Sequence, residues 1–276
     1  MLSPGSTFAG YEIESVVGPG GLGVLYRARQ LRLDRPVALK VVEAELARDP
    51  VVRERLRREA RAVAAIDHPN VVPLYEAGEY DGTIYIVTRW VEGTELGTLI
   101  GEEGPLEPGR AARIAAQIAT ALETAHEKGL VHRDIKPSNV IVTAEGHVYL
   151  TDFGLAKRAE TAAGLTRADQ MLGTVDYVAP EQIEGSEADA RGDIYSLGCL
   201  LYEMLTGEAP FADQRGGMAK MWAQVNAQPR PLRDRRPDVP PQLEEAVNHA
   251  MAKNPAARPS AAIFREAALA AIGAPP

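Results

Sequence analysis

Only one cysteine, Cys199, occurs in the chain, which excludes an intrachain disulfide and any metal site built from several cysteines, and fits a reducing compartment. A free cysteine packs as a small hydrophobe, so Cys199 is expected to be buried. Long apolar runs are missing too: no stretch approaches the ~18 residues of a membrane-crossing helix. The opening Met1-Leu2-Ser3-Pro4-Gly5 lacks the basic start and apolar run of a secretion signal. The expectation is a soluble, cytoplasmic segment without membrane contact. The ending Gly273-Ala274-Pro275-Pro276 has the composition of a linker, and a longer parent chain could be membrane-anchored. Positive charge is in deficit, 30 Lys+Arg against 38 Asp+Glu for a net charge of -8, which argues against a nucleic-acid partner. Lysine is scarce, 6 against 24 arginines, a bias that reads as a GC-rich genome.

What is present is an ordinary globular composition, 45% hydrophobic and 25% charged over 276 residues, long enough for one domain of two lobes or for two small domains. The chain is organised around His132-Arg133-Asp134-Ile135-Lys136-Pro137-Ser138-Asn139, followed by Asp152-Phe153-Gly154. An acid, a lysine, an amide and a second acid are the groups that phosphoryl transfer needs.

Up to Arg89 the pattern is mostly that of short strands. Tyr11 to Val17 and Val24 to Gln30 flank Gly18-Pro19-Gly20-Gly21-Leu22-Gly23, a loop whose N–H groups could lie over phosphates. A dinucleotide fold requires a helix straight after such glycines, whereas Val24 to Arg29 has a strand's period. In the next strand, Val37 to Val42, alternation puts Ala38 and Lys40 on one face. Helical spacing then gives Val52, Leu56, Glu59, Val63 and Ile66, an apolar stripe interrupted by one carboxylate. A buried charge needs a partner, and Lys40 is the evident one. Arg53, Arg55, Arg57, Arg58 and Arg61 on the opposite face read as a solvated surface. Asp67-His68-Pro69-Asn70 breaks the helix, with His68 as a loop or capping residue; strands at Val71 to Tyr75 and Thr83 to Arg89 follow.

After Trp90-Val91-Glu92-Gly93 the pattern turns helical. A helix is expected over 107–128, and Val140–Val142 and Val148–Leu150 read as a hairpin. Pairing symmetric about Glu145 sets Asn139 opposite Thr151, beside Asp152. These two oxygen donors make a sensible Mg2+ site. Residues 152–181 lack a clear period and are expected to be a movable substrate-binding loop. A mostly apolar helix is expected from Gly192 to Thr206 with Asp193 capping its start, and weaker helices over 214–226, 241–252 and 260–271.

Taken together, the glycine loop, Val37-Ala38-Leu39-Lys40, Glu59, His132 to Asn139, Asp152-Phe153-Gly154, Ala179-Pro180-Glu181, Asp193 and Arg258 stand in the order that resembles the protein kinase family, in particular bacterial serine/threonine kinases that look like the eukaryotic ones. The resemblance implies an α+β, bilobal fold in a single domain over 1–276, with a mostly β lobe at about 11–91 and a mostly helical lobe at about 94–271. It implies ATP with Mg2+, or Mn2+, as cofactors and proteins as substrates. Val17, Gly18, Gly20, Gly23, Leu25, Ala38, Lys40, Glu59, Thr88, Arg89 and Val91 are implied to surround the nucleotide, with Thr88 as gatekeeper and Arg89 to Val91 as hinge. Arg89 stands where the family often has an acid. Asn139 and Asp152 are implied to hold metal, Asp134 to act on the substrate hydroxyl, and Lys136 to offset charge on the transferred group. Lys136 and Thr174 resemble the serine/threonine branch. Arg133 implies control by loop phosphorylation, with Thr166 and then Thr161 as autophosphorylation sites. Phe153 and His132 are expected to pack in the core, and Glu181 to pair with Arg258. A homodimer through the first lobe is also implied. The alternatives are a nucleotide-binding pseudokinase or scaffold, against which Lys40, Glu59, Asp134, Asn139 and Asp152 all stand, and a small-molecule phosphotransferase, which usually lacks Ala-Pro-Glu and the loop before it.

Overall fold

The computed structural model describes residues 1–20, 23–42, 50–153, 175–186 and 189–274. The described residues fall into two compact units. The first comprises those within Met1–Asp67 and Val71–Glu92, the second His68–Asn70, Gly93–Phe153 and those within Arg167–Pro276.

The first unit is an antiparallel sheet of β1 (Thr7–Phe8), β2 (Tyr11–Gly20), β3 (Gly23–Gln30), β4 (Arg35–Val42), β5 (Leu74–Tyr80) and β6 (Thr83–Arg89), in the order β1-β2-β3-β4-β6-β5. Alternation sorts its side chains. Tyr11, Ile13, Tyr26, Ala28, Val37, Leu39, Tyr85 and Val87 form one buried cluster, so their neighbours along each strand face the other way. Helix α1 (Pro50–Ala64) packs beside β5. Val52, Leu56, Glu59 and Val63 are all buried along it, and Ile66 just past its end, as the helical spacing predicts.

Two expectations need correction here. Part of the arginine face is not simply solvated: Arg53 and Arg57 both donate to Glu79 on β5, Arg57 at 3.1 Å. The strand expected at Val71 to Tyr75 begins only at Leu74. The reason is Asn70, whose backbone oxygen accepts from Leu150 N–H at 2.8 Å and whose Nδ2 donates to Val148 O at 2.8 Å and Gln117 Oε1 at 3.0 Å. These bonds commit residues 68–70 to the second unit before the strand can start. His68 is the loop residue expected, its Nδ1 accepting Asn70 N–H at 3.1 Å.

The second unit contains a small sheet, β7 (Thr94–Glu95), β8 (Val140–Val142) and β9 (Val148–Leu150), and helices α2 (Leu96–Glu103), α3 (Pro108–Glu127), α4 (Pro180–Ile183), α5 (Ala190–Thr206), α6 (Gly217–Asn226), α7 (Leu232–Arg235), α8 (Pro241–Ala250) and α9 (Ala261–Ala270). The short elements β7, α4 and α7 carry too few residues to present a period. Helix α3 buries Ile114, Ile118, Leu122 and Ala125 and starts where the Glu107 carboxylate accepts Gly109 and Arg110 N–H at 2.7 and 2.8 Å, satisfying orphan donors of the first turn. Helix α5 is buried around most of its circumference and packs against α3 and α8. It ends at Gly207, whose N–H still donates to Glu203 O at 2.7 Å and whose left-handed φ of 79° turns the chain out of the helix. Cys199 is fully buried on α5, and burial pushes its thiol well up.

Beside it, Lys253 donates from Nζ to Tyr195 Oη at 2.9 Å and Gln224 O at 2.7 Å, and lies 4.9 Å from the Phe211 ring centre. Burial lowers its pKa from 10.5 to about 8. Between these values the unfolded chain holds a proton that the folded chain has lost, so this residue's contribution to stability rises with pH across the window. Thermal melts of wild type and Lys253→Met at pH 7.5 and pH 10 are expected to shift in favour of wild type at the higher pH. A gap that is constant with pH, or that closes, contradicts the assignment.

Candidate active site

The segment from His132 to Lys136 has no regular structure, so its backbone donors must be satisfied from elsewhere. Asp193 does this. It is 1% exposed, and its carboxylate accepts His132 N–H at 2.8 Å and Arg133 N–H at 2.7 Å, with His126 Nε2 at 2.8 Å from Oδ2. Asp193 therefore does cap free N–H groups, but those of another segment. The cap of its own helix is Asp189, which accepts Arg191 N–H at 2.8 Å. Arg133 has a φ of 67°, a left-handed conformation that few non-glycine residues adopt. The paired bonds to Asp193 hold it there.

His132 is fully buried, and burial lowers its pKa despite the pull of Asp193 in the opposite direction. Its Nε2 lies 2.8 Å from Thr151 O. A carbonyl can only accept, so the proton sits on Nε2, leaving Nδ1 to accept Asp134 N–H at 3.3 Å. The ring packs on Phe153 with centroids 4.6 Å apart, as expected for two core residues.

Asp134 is 9% exposed. Its Oδ2 lies 2.7 Å from Lys136 Nζ and accepts Asn139 Nδ2 at 3.0 Å. The same Nδ2 donates to Asp134 O at 2.7 Å. With its NH2 so used, the Asn139 amide is oriented and Oδ1 is turned away from Asp134 as a ligand oxygen. Hairpin β8–β9 pairs Val140 with Leu150, Ile141 with Tyr149 and Val142 with Val148, the symmetry about Glu145 that the sequence predicts. Thr151 N–H donates to Asn139 O at 2.9 Å, which sets Asp152 next to the pair. Asp152 is exposed, with a left-handed φ of 55°. Among the described residues there is no group of three or more His, Cys, Asp or Glu able to hold a metal alone. One carboxylate with one amide oxygen suits a Mg2+ ion that completes its shell with phosphates and water.

In the first unit, register pairs Leu25 with Lys40, Ala38 with Thr88 and Lys40 with Ile86. Leu25, Ala38, Lys40 and Thr88 accordingly share the face opposite the buried aromatic cluster. Lys40 and Glu59 are 9% and 6% exposed. Val17 is exposed at 46%, Arg89 is exposed and Val91 half-buried. The two strands flanking the glycines are those expected, but they run further than expected: Gly18 pairs with Leu25 and Gly20 with Gly23, so Gly18, Pro19 and Gly20 belong to β2 and Gly23 to β3 rather than to a loop. The glycines differ in what they allow. A Cβ at Gly23 would stand 1.9 Å from Val41 O, whereas at Gly18 it would meet nothing within 4 Å. Gly23 is thus needed for the approach of β3 to β4, and Gly18 leaves a surface open.

Thr161, Thr166 and Thr174 lie outside the described residues, as do Gly21, Leu22 and Gly154. Where the chain resumes, Tyr177 Oη donates to Glu203 Oε2 at 2.6 Å and Ser196 Oγ to Tyr177 O at 2.7 Å. Glu181 and Arg258 form the expected buried pair, bidentate at 2.7 and 2.8 Å. Sequence reasoning missed His126 and Gln224. His126 closes a helix without a motif of its own, and Gln224 is a lone amide in a weak helical pattern.

A mostly β unit with one helix, followed by a mostly helical unit in which an acid, a lysine and an amide lie together beside a second acid, is the arrangement of the protein kinase class. The chain belongs to the protein kinase domain family, whose profile matches residues 11–268. It is 42% identical over 260 residues to the serine/threonine-protein kinase PknB of Mycolicibacterium smegmatis, covering 92% of this chain and 41% of that protein. It is also 42% identical over 252 residues to the serine/threonine-protein kinase PknE of Mycobacterium tuberculosis, covering 91% and 44%. The chain thus spans less than half the length of these curated relatives. The crystal structure of the M. tuberculosis PknI kinase domain superimposes with a TM-score of 0.80 at 29% identity, covering 99% of this chain and all of that one.

Proposed function

We propose that this domain is an active serine/threonine protein kinase, transferring the γ-phosphoryl group of ATP to serine or threonine hydroxyls of proteins. The observation that carries the reading is the grip of Lys136 and Asn139 on Asp134 Oδ2, in a chain 42% identical to two serine/threonine kinases. Asp134 orients the acceptor hydroxyl and takes its proton. Lys136, already beside it, offsets the charge that spreads over the transferred group. Lys40, paired with Glu59, holds the α- and β-phosphates, and the strand ends carrying Gly18, Gly20 and Gly23 cover them. Leu25, Ala38, Thr88, Val17 and the Arg89 to Val91 backbone take the base. Asn139 Oδ1 and Asp152 hold Mg2+, or Mn2+, which when bound neutralises phosphate charge. Because the transition state is loose, these residues act by positioning and electrostatics.

In the same reading, autophosphorylation at Thr166, then Thr161, raises activity by adding phosphate charge with which Arg133 pairs. The test is incubation with γ-labelled ATP, alone and with a generic basic protein, followed by mass spectrometry. Label is expected on both proteins and on Thr166 or Thr161. No transfer to either protein would leave a nucleotide-binding pseudokinase. Full activity with an unmodified loop would remove the regulatory part alone.

A further inference from the structure

The turn Val175–Tyr177, just before Ala179-Pro180-Glu181, is held from one side by α6. Gln224 is fully buried on that helix. Its Nε2 donates to Val175 O at 3.2 Å and to Asp176 O at 2.6 Å, while its Oε1 accepts the Tyr195 hydroxyl at 2.5 Å. Tyr195 Oη in turn accepts from Lys253 Nζ at 2.9 Å. Chemistry sets the direction of every bond. The lysine nitrogen gives its hydrogen to the tyrosine oxygen, so the tyrosine hydrogen goes to Gln224 Oε1, and the amide must present its NH2 to the two carbonyls. A flipped amide would set oxygen against oxygen. Four residues earlier on the same face, Lys220 forms an ion pair of 2.6 Å with Asp176.

A fully buried amide is costly unless its hydrogen bonds are made, and here they are: an apolar side chain in its place would leave the Val175 and Asp176 carbonyls and the Tyr195 hydroxyl short of partners. What the amide adds is a fixed position for the 175–177 backbone. We propose that Gln224 is a positioning residue for the acceptor protein: it sets the backbone against which the acceptor chain lies, and Tyr195 and Lys253 orient it. This rests on the kinase reading above together with the expectation that residues 152–181, which end at Ala179-Pro180-Glu181, form the loop that binds the substrate. Nucleotide contacts are assigned to other residues, so the effect belongs to the acceptor alone.

The test compares wild type, Gln224→Ala and Tyr195→Phe, with myelin basic protein as acceptor. Gln224→Ala is expected to raise the acceptor KM about tenfold and Tyr195→Phe roughly threefold, with the KM for ATP within about twofold. Tyr195→Phe removes only the hydroxyl that orients the amide, so it decides the matter if Gln224→Ala does not fold. Hydrogen exchange at residues 175–178 reads the positioning without turnover, and faster exchange confined there is expected in each folded variant. Unchanged exchange overturns the proposal, as does an unchanged acceptor KM, or a parallel rise of both KM values with a lower Tm. A wild type that transfers no phosphate refutes the kinase reading, and the exchange measurement then still decides whether Gln224 positions the segment.

Discussion

Asp134→Asn is expected to lower turnover about a thousandfold, equivalent to about 4 kcal/mol of barrier, while leaving ATP affinity within about twofold. The substitution keeps size and shape. Its amide can still meet Asn139, whose Nδ2 also holds the backbone oxygen of residue 134 at 2.7 Å, so the loop is not released. What is lost is the carboxylate at 2.7 Å from Lys136 Nζ. With it go the charge that holds the lysine in place and, on the proposed reading, the acceptor for the hydroxyl proton. The nucleotide is assigned mainly to Lys40 and its neighbours on another unit, so binding survives. Steady-state phosphate transfer, paired with titration of a fluorescent ATP analogue, separates the two quantities. A loss of less than about tenfold, or a parallel loss of ATP binding, contradicts the role given to Asp134.

Local regularity decided what the sequence disclosed. The hairpin after Asn139 was legible because its register follows from one turn position, and three observed pairs keep that register. From it came the placement of Asn139 beside Asp152. The stripe Val52, Leu56, Glu59, Val63 and Ile66 was legible because burial of a helix face leaves a period, and a carboxylate within it is conspicuous. Gly23 was read for its freedom to approach a ligand, whereas its tightest neighbour is the Val41 carbonyl of the adjacent strand. A loop pattern alone does not separate those two reasons.

Long-range polar contacts leave no period. Arg53 and Arg57 look like part of a solvated helix face until β5 brings Glu79 beside them. Asn70 reads as a helix breaker, and only the folded chain reveals that its amide reaches Gln117 and Val148, which delays the next strand. Asp193 was misread for the same reason. A carboxylate near a helix start suggests a cap by local rules, but Asp189 already fills that place. The clue available was that Asp193 sits in a helix apolar over most of its circumference, where a charge has to find donors elsewhere.

Asp193→Ala should therefore damage both the fold and the chemistry. Its carboxylate takes hydrogen bonds from two successive backbone N–H groups at 2.7 and 2.8 Å and faces His126 at 2.8 Å. Removing it strands buried donors, with an expected cost of about 3–5 kcal/mol and a fall in Tm of roughly 10 °C. It also releases Arg133 from its left-handed conformation, φ 67°, which is sparsely populated without such restraint. Asp134 is the next residue. A shift of its carboxylate by about 1 Å can cost about a hundredfold in rate, so at a temperature where the variant remains folded, turnover should fall by roughly that factor, with ATP affinity little changed. Asp193→Asn should lie between wild type and alanine, because it retains one acceptor oxygen for two N–H groups. Calorimetry together with turnover measured well below the variant's Tm tests both halves. If stability falls while turnover of the folded fraction stays at the wild-type level, Asp193 is only a structural anchor. If both fall, the buried carboxylate holds the catalytic segment in its working conformation.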